Sequence, residues 1–366
     1  MSDTKHVPAS LRRALTGVAA LLVAVGAIAA VACSGREVVV AAADFRPEIL
    51  PLPADPDEYD PIERYAAMEI PADNPLTPEK AALGRQLYYD TRMSGDGKLS
   101  CYSCHVCEKG LTDGRPVAIG AFDVKLTRGA PTMWNVGFKW AFYWDGRAPS
   151  LEKQAIGAWT GANMGAKDPE RIVATLNDIP GYRAQFEQVF GGPASTERVA
   201  AALASYMRTI VGGNTPWDRW QAGDESAVSD AAKRGYEFFL RAGCVECHAG
   251  VLLTDQQFHN VGIGMEAGEP DLGRFKVTSL EQDRGAFSTP TLRDITKSAP
   301  YFHDGSVATL EEAVRFMLAG GRDNEWKSPK LKAVAHTDAE VSDLLAFLAT
   351  LEEPCDMPAP PLPPGP

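Results

Sequence analysis

Two short motifs in the chain combine the residue types that attach haem to protein. Each motif is a Cys-x-x-Cys-His sequence, and the residues concerned are Cys101, Cys104 and His105 in the first copy and Cys244, Cys247 and His248 in the second. Two thiols on one turn can add to the two vinyl groups of a haem, and the following residue can place its imidazole beneath the iron. The spacing therefore predicts two covalently bound haem c groups with His105 and His248 as proximal iron ligands.

Zinc ribbons and redox-active cysteine pairs use a similar spacing, but the rest of the sequence disfavours both. Paired ribbon motifs lie about 15–20 residues apart, whereas these motifs begin at residues 101 and 244. The chain has six histidines in 366 residues, so a histidine directly after both cysteine pairs is hard to attribute to chance. Of the other histidines, His259 and His303 are predicted to be structural.

The two motifs occupy corresponding places in an internal repeat. Helices capped by Thr77 and Ser229 are predicted to precede them, and a Leu-Thr-Asp step follows each, at 111–113 and 253–255. An aromatic segment, Phe-Tyr-Trp-Asp-Gly at 142–146, recurs as Tyr-Phe-His-Asp-Gly. Both halves close with an amphipathic helix, and strand-like alternation is scarce. We therefore predict a mainly α fold, with two cytochrome c-like haem domains in tandem and long loops.

Composition divides the chain into five segments. Residues 1–33 resemble an export signal, and residues 34–74 form a Pro-rich, acidic tether or surface wrap. Residues 75–213 are the predicted N-terminal haem domain and residues 214–353 the C-terminal one. The tail, 354–366, holds seven prolines in 13 residues and is predicted to be extended and uncovered.

The N-terminal segment predicts where the protein acts. Basic residues precede an uncharged run from Ala14 to Ala32, which is typical of a bacterial signal peptide. The run ends in Ala-Val-Ala-Cys, which resembles a lipobox with Cys33 as the acylated residue. We expect an exported, periplasmic protein that contacts the membrane only through this lipid anchor. A free secreted form and a retained membrane helix are the alternatives.

The net charge and the number of cysteines argue against two other classes of protein, nucleic-acid binders and disulfide-rich scaffolds. The formal net charge of −12 argues against a nucleic-acid partner, because such binding needs a basic face. Seven cysteines are too few for a disulfide scaffold of this length, and an odd number cannot all pair. With four at the haems and Cys33 acylated, Cys107 and Cys355 are expected to be thiols, the former buried.

The repeat distinguishes the two haem sites. Met317 lies on the helix predicted after Thr309, where its thioether could complete a His/Met iron site. A core methionine is the alternative interpretation. The corresponding residue of the first half is Ala158, which cannot bind iron. The first haem is therefore expected to keep an open coordination position, unless Met133 or Met164 reaches it.

The two halves together resemble the bacterial dihaem cytochrome c peroxidase family, which includes the MauG-type enzymes. The resemblance extends from residue 75 to residue 351 and is carried by both motifs with FYWDGRAPSLEKQA and TPTLRDITKSAPYFHDGSVATLEEAVRFM. It implies a low-spin electron-accepting haem in the C-terminal half, a peroxide-reducing haem in the N-terminal half, and Trp144 as a relay between them. The implied reaction reduces hydrogen peroxide to water with electrons from a small cytochrome c or cupredoxin.

Some positions depart from the pattern of the family. Ala121 stands where many members have a histidine that caps the peroxidatic iron, so an open site without reductive activation is expected. Asn163 replaces the catalytic glutamate, and an amide cannot exchange a proton as a carboxylate does, so slower turnover is expected. Asp123 or Arg128 is a candidate substitute, and solvated loop charge is the alternative interpretation of both.

The resemblance also implies a calcium ion between the domains. Ser298 and Pro300 match two of its backbone ligands, but Gly129 replaces the usual asparagine side chain. The resemblance leaves both the presence of calcium and the choice between monomer and homodimer open.

Three functions are compatible with these residues. Met317 falls where the peroxidases have a methionine and the MauG-type proteins a tyrosine, which favours a peroxidase. The second function is a MauG-type oxidase that modifies a partner protein. The third, suggested by the lost glutamate, is an electron-transfer or peroxide-sensing dihaem cytochrome.

Overall fold

The computed structural model describes residues 68–265 and 268–365. The predicted export signal and most of the predicted tether lie outside the described residues. Within the described part, no helix combines the length and apolar composition needed to cross a bilayer. The prediction of a mainly helical chain with long loops is confirmed.

The helices and strands divide between the two halves as the repeat predicts. The first half contains α1 (Pro78–Tyr89), α2 (Leu151–Thr160), α3 (Pro169–Asp178), α4 (Pro180–Phe190) and α5 (Thr196–Met207). The second contains α6 (Pro216–Gln221), α7 (Asp230–Arg241), α8 (Phe275–Thr278), α9 (Leu310–Leu318) and α10 (Asp338–Ala349). A two-stranded antiparallel sheet pairs β1 (Phe258–His259) with β2 (Phe287–Ser288). A 3₁₀ turn starts at the first cysteine of each motif, at Cys101–Ser103 and Cys244–Glu246, and the second cysteine directly follows the turn.

Polar side chains cap the N-termini of the helices at the positions that the sequence predicts. The hydroxyl of Thr77 accepts from the backbone N–H of Lys80, and that of Ser229 accepts from Ala232. Thr337 and Glu340 form the predicted reciprocal capping box of α10. These bonds satisfy N–H groups that a helix leaves unpaired at its start.

Each half is built around one closely packed helix pair. A Cβ atom on Gly84 of α1 would lie 1.9 Å from the carbonyl oxygen of Ala202 on α5. A Cβ atom on Gly235 of α7 would lie 1.9 Å from that of Asp343 on α10. Only glycine permits this approach, so the repeat preserves the helix crossing next to each haem motif.

A buried ionic network lies within the second half, at its boundary with the first. The guanidinium of Arg293 donates to Asp218 at 2.8 Å and to Glu353 at 2.7 Å, and all three side chains are buried. Glu353 also accepts from the backbone N–H of Gly213. The network therefore ties the linker between the halves to the start of the tail.

The tail is extended and most of its described residues are exposed, but it lies against the first half, which binds it through side-chain donors. Arg85 and Tyr89 on α1 donate to the carbonyl oxygens of Pro358 and Met357, both at 2.6 Å. Arg92 donates to the carbonyl of Pro363 at 3.0 Å. Proline cannot donate, but its carbonyl accepts, so a proline-rich strand can be bound by side-chain donors.

The tail is also covalently attached, which corrects the prediction of two thiols. Cys107 and Cys355 form a disulfide that spans 248 residues of sequence. Cys107 follows the first motif, whereas Cys355 begins the tail. Their proximity depends on how the tail crosses the first half, which no local pattern encodes.

Replacing both Cys107 and Cys355 with serine should lower the free energy of unfolding by about 2–4 kcal/mol, because the cross-link restricts the unfolded chain. Denaturant titration followed by tryptophan fluorescence measures this change. Wild-type protein treated with a dithiol reductant is the control and should match the double variant. Equal unfolding free energies for the oxidised wild type, the reduced wild type and the variant would contradict the expectation.

Candidate functional site

Each motif histidine is held by a backbone carbonyl. Nδ1 of His105 lies 3.0 Å from the carbonyl oxygen of Leu111, and Nδ1 of His248 lies 3.1 Å from that of Leu253. A carbonyl can only accept, so Nδ1 carries the proton in both rings and the Nε2 lone pair is left for a metal. Desolvation lowers the pKa of both imidazoles, which keeps them neutral at physiological pH.

A first cavity lies beside the first motif and extends to the second half. Its walls include Cys101, Cys104 and His105 from the motif. Gln256 and Ser288 of the second half line its other side. The two halves therefore enclose this cavity together.

A second cavity lies beside the second motif and holds the predicted methionine. Its walls include Cys244, Cys247 and His248, together with Met317 on α9. The structure thus brings the predicted proximal histidine and the predicted thioether ligand to one cavity. Ala158, the repeat equivalent of Met317, borders the first cavity, and so do Met133 and Met164, the other two candidate ligands of the first iron.

The chemistry of the first cavity fits a haem. None of the four motif cysteines forms a disulfide with another described residue. Three buried polar atoms on its walls have no hydrogen-bond partner among the described residues: Tyr88 Oη, Asn135 Nδ2 and Gln256 Oε1. Buried polar atoms are nearly always paired, so these atoms indicate that the cavity holds a large group with polar substituents. A haem, with its propionates, is such a group.

Trp144 borders both cavities. Its indole Nε1 donates to the carbonyl oxygen of Gly129 at 2.9 Å, which fixes the ring. The ring centroid lies 6.5 Å from that of His303, edge to face. The predicted relay residue is therefore held between the two candidate haem sites.

Side-chain amides are among the groups that line the first cavity. Asn163 borders it, and its backbone carbonyl accepts from the N–H of Ala121 at 3.1 Å. Sequence reasoning missed Gln154, which also borders the cavity. Gln154 precedes Ala158 by one turn of α2, and residues four apart share a helix face. That spacing could have identified it.

Arg128 is not a solvated loop charge. It donates to both oxygens of Asp271 at 2.7 and 2.9 Å, and to Asp145 at 2.7 Å. Asp145 belongs to the first half and Asp271 to the second, so the guanidinium joins them next to Trp144. The hydrogen bonds to Asp271 and Asp145 outweigh the effect of burial and raise the pKa of Arg128, which disfavours it as a proton donor. Asp123 is exposed, as a solvated charge would be.

The two histidines predicted to be structural have partners. His259 contacts Asp255 at 2.8 Å and the hydroxyl of Ser328 at 3.2 Å. His303 is buried and stacks on Phe287, and burial lowers its pKa to about 4. Polar atoms of Asp255 and His259 lie near the sulfur of Cys247, but that sulfur belongs to the second haem motif.

The residues expected to hold calcium lie together, but their donors are few. Ser298, Pro300 and Gly129 all border the second cavity. Calcium takes six to eight oxygen ligands, commonly with carboxylates among them. Gly129 offers no side-chain oxygen, so the two backbone carbonyls of Ser298 and Pro300 do not complete a calcium site.

The fold and the two cavities define a cytochrome with two haem domains in tandem, and comparison with known proteins agrees. The family model for di-haem cytochrome c peroxidase matches residues 78–226, and that for cytochrome c matches residues 232–352. The methylamine utilization protein MauG of Methylorubrum extorquens is 40% identical over 350 residues, covering 94% of this chain and 96% of that protein. The cytochrome-c peroxidase IdrP1 of Denitromonas iodatirespirans is 38% identical over 327 residues, covering 80% of this chain and 87% of that protein.

Comparison with solved structures supports the same family. A MauG-like protein associated with microbial copper homeostasis superposes with a TM-score of 0.73 at 34% identity. The match covers 81% of this chain and 94% of that one. The chain therefore belongs to the di-haem cytochrome c peroxidase family, whose cofactor is haem c.

Replacing Arg128 with methionine should lower the free energy of unfolding by about 3 kcal/mol, the low end for breaking a buried ion pair. Asp145 and Asp271 lose the guanidinium that they share and keep only the more exposed Arg147 and Lys276 as partners. Arg147 is the matched control, since it also contacts Asp145 but its side chain is 48% exposed against 12% for Arg128. Its replacement with methionine should cost at most about 1 kcal/mol. Denaturant unfolding of both variants tests this, and equal losses would show that Arg128 does not join the halves.

Proposed function

We propose that the protein is an exported dihaem peroxidase that reduces hydrogen peroxide to water with electrons from a small redox protein. One observation carries the proposal. Met317 borders the second cavity, whereas the repeat places Ala158 at the corresponding wall of the first. The second iron is then closed by a thioether, and the first is open to a small oxidant.

Covalent attachment and export belong to the same proposal. Cys101 and Cys104 hold the first haem in residues 75–213, and Cys244 and Cys247 hold the second in residues 214–353. The signal-like segment that ends at Cys33 directs the chain to the periplasm and anchors it there by a lipid. The electron donor is then a periplasmic cytochrome c or cupredoxin.

The residues around the two cavities have different roles in this reaction. Haem supplies one-electron redox chemistry and, where a coordination position is open, a place for peroxide to bind. Met317 raises the reduction potential of the second site, as thioether ligands do. Trp144, fixed by the carbonyl of Gly129, relays electrons from the second cavity to the first.

Hydrogen bonds around Ala121 support a first site that needs no reductive activation. The N–H of Ala121 donates to Asn163, and the N–H of Gly120 donates to Val124 at 2.8 Å. The next N–H, that of Phe122, donates to the carboxylate of Asp96 at 2.9 Å. This loop carries no histidine and is held by three bonds, so it has no ligand to withdraw.

Asn163 limits the rate in this proposal. Splitting a peroxide bond requires a proton to move from the inner oxygen to the outer one, and a carboxylic acid does this well. An amide can orient peroxide by hydrogen bonds but cannot carry the proton. Asn163 and Gln154 therefore position the substrate, and water must carry the proton.

A MauG-type oxidase acting on a partner protein is the second candidate. The 40% identity to MauG over 94% of this chain favours it, whereas Met317 in place of a tyrosine opposes it. An electron-transfer or peroxide-sensing role without turnover is what remains if neither reaction occurs.

Steady-state peroxide consumption with reduced cytochrome c or a reduced cupredoxin tests the proposal. Wild-type protein should consume peroxide above background, and Met317→Leu should be slower because the potential of its second haem falls. Met357→Leu is the control, since Met357 lies in the tail and borders neither cavity. Stable two-electron oxidation without donor turnover would instead support the MauG-type reaction.

Replacing Asn163 with glutamate should raise the turnover number by at least about tenfold, because a positioned proton carrier contributes about 10²–10⁴-fold. Asn163→Gln is the matched control, with the same length as the glutamate but no exchangeable carboxyl proton, and should stay near wild type. Steady-state kinetics at saturating donor measures both. A glutamine variant as fast as the glutamate variant would reject the assigned role.

A further inference from the structure

Lys139 is a half-buried cation on the wall of the first cavity. Its Nζ donates a hydrogen bond of 3.3 Å to the hydroxyl of Ser288 in the second half. Within the described part of the chain, no carboxylate lies within ion-pair distance of it. Burial lowers its pKa to about 8, so it is still largely protonated at pH 7.

A second unpaired donor lies on the same loop. The amide oxygen of Asn135 accepts from the backbone N–H of Gly212 at 3.0 Å, which orients the amide. Its Nδ2 group is consequently the free end, and it is buried without a partner among the described residues. Asn135 and Lys139 therefore present an N–H donor and an ammonium group to one cavity.

Leaving these two groups unpaired is unfavourable. A buried ammonium group is strongly destabilised unless it is paired, and an unsatisfied buried amide costs about 1–3 kcal/mol. One neutral hydroxyl does not offset a charge. A carboxylate in the cavity would satisfy such groups, since a carboxylate accepts from several donors at once.

We propose that Lys139 and Asn135 bind a propionate of the first haem, and that Ser288 links this contact to the second half. The inference rests on the proposed function only in placing haem c in the first cavity. Lys139 then neutralises a negative charge near the first iron. Neutralisation favours the reduced haem, which carries one positive charge fewer than the oxidised haem.

Lys139→Gln should therefore shift the first haem toward its oxidised form by about tenfold, which lowers its one-electron potential by about 59 mV. Lys139→Arg keeps the charge and should retain most of the wild-type potential. Potentiometric titration of the complete dihaem protein at pH 7, followed by the visible spectrum, measures the potential of each haem.

Lys330→Gln is the matched control. Lys330 borders the second cavity and has an acidic partner of its own, Asp255 at 3.4 Å. This substitution should leave the potential of the first haem unchanged. A shift of the same size in Lys139→Gln and Lys139→Arg, or no shift in either, would overturn the assignment.

The haem content separates this inference from the proposed function. Fewer than two haems per chain in the wild type would refute the placement of haem c itself. Two haems with peroxide turnover, but an unchanged potential in Lys139→Gln, would refute only the propionate contact.

Discussion

Both halves depend on the hydrogen bond that holds the motif imidazole. The acceptors are the carbonyls of Leu111 and Leu253, and both leucines have positive φ, +58° and +51°. Leucine rarely adopts this conformation, which costs about 1–3 kcal/mol. Both leucine side chains are buried in the cores, and their burial offsets the strain. The same strained turn in two places shows that aiming one carbonyl at one ring nitrogen constrains the surrounding fold.

The repeat makes the differences between the halves informative. Around equivalent imidazoles, the first half has Ala158 where the second has Met317, and Trp144 where the second has His303. Thioether ligation suits an iron that only passes electrons, whereas an unligated position suits an iron that binds a small oxidant. Trp144 borders both cavities, and the Arg128 contacts to Asp145 and Asp271 hold the two halves together next to it.

Local patterns in the sequence predicted much of this arrangement, because the repeat presents each element twice. Thr77 and Ser229 cap the expected helices, and Met317 lies in the cavity of the second motif. Contacts between distant segments could not be predicted this way. The Cys107–Cys355 disulfide, the course of the tail and the Arg128–Asp271 ion pair all join residues more than a hundred positions apart. Gln154 and Lys139 were not predicted because an amide and a lysine carry no motif of their own.

In the proposed function, Met317 occupies the last coordination position of the second iron, and the corresponding position of the first iron is open. The most direct measurement is the visible and electron paramagnetic resonance spectrum of the oxidised protein, before and after addition of peroxide. We expect one low-spin and one high-spin ferric haem beforehand, with the high-spin signal lost when peroxide is added. Two low-spin haems that do not respond to peroxide would contradict the account.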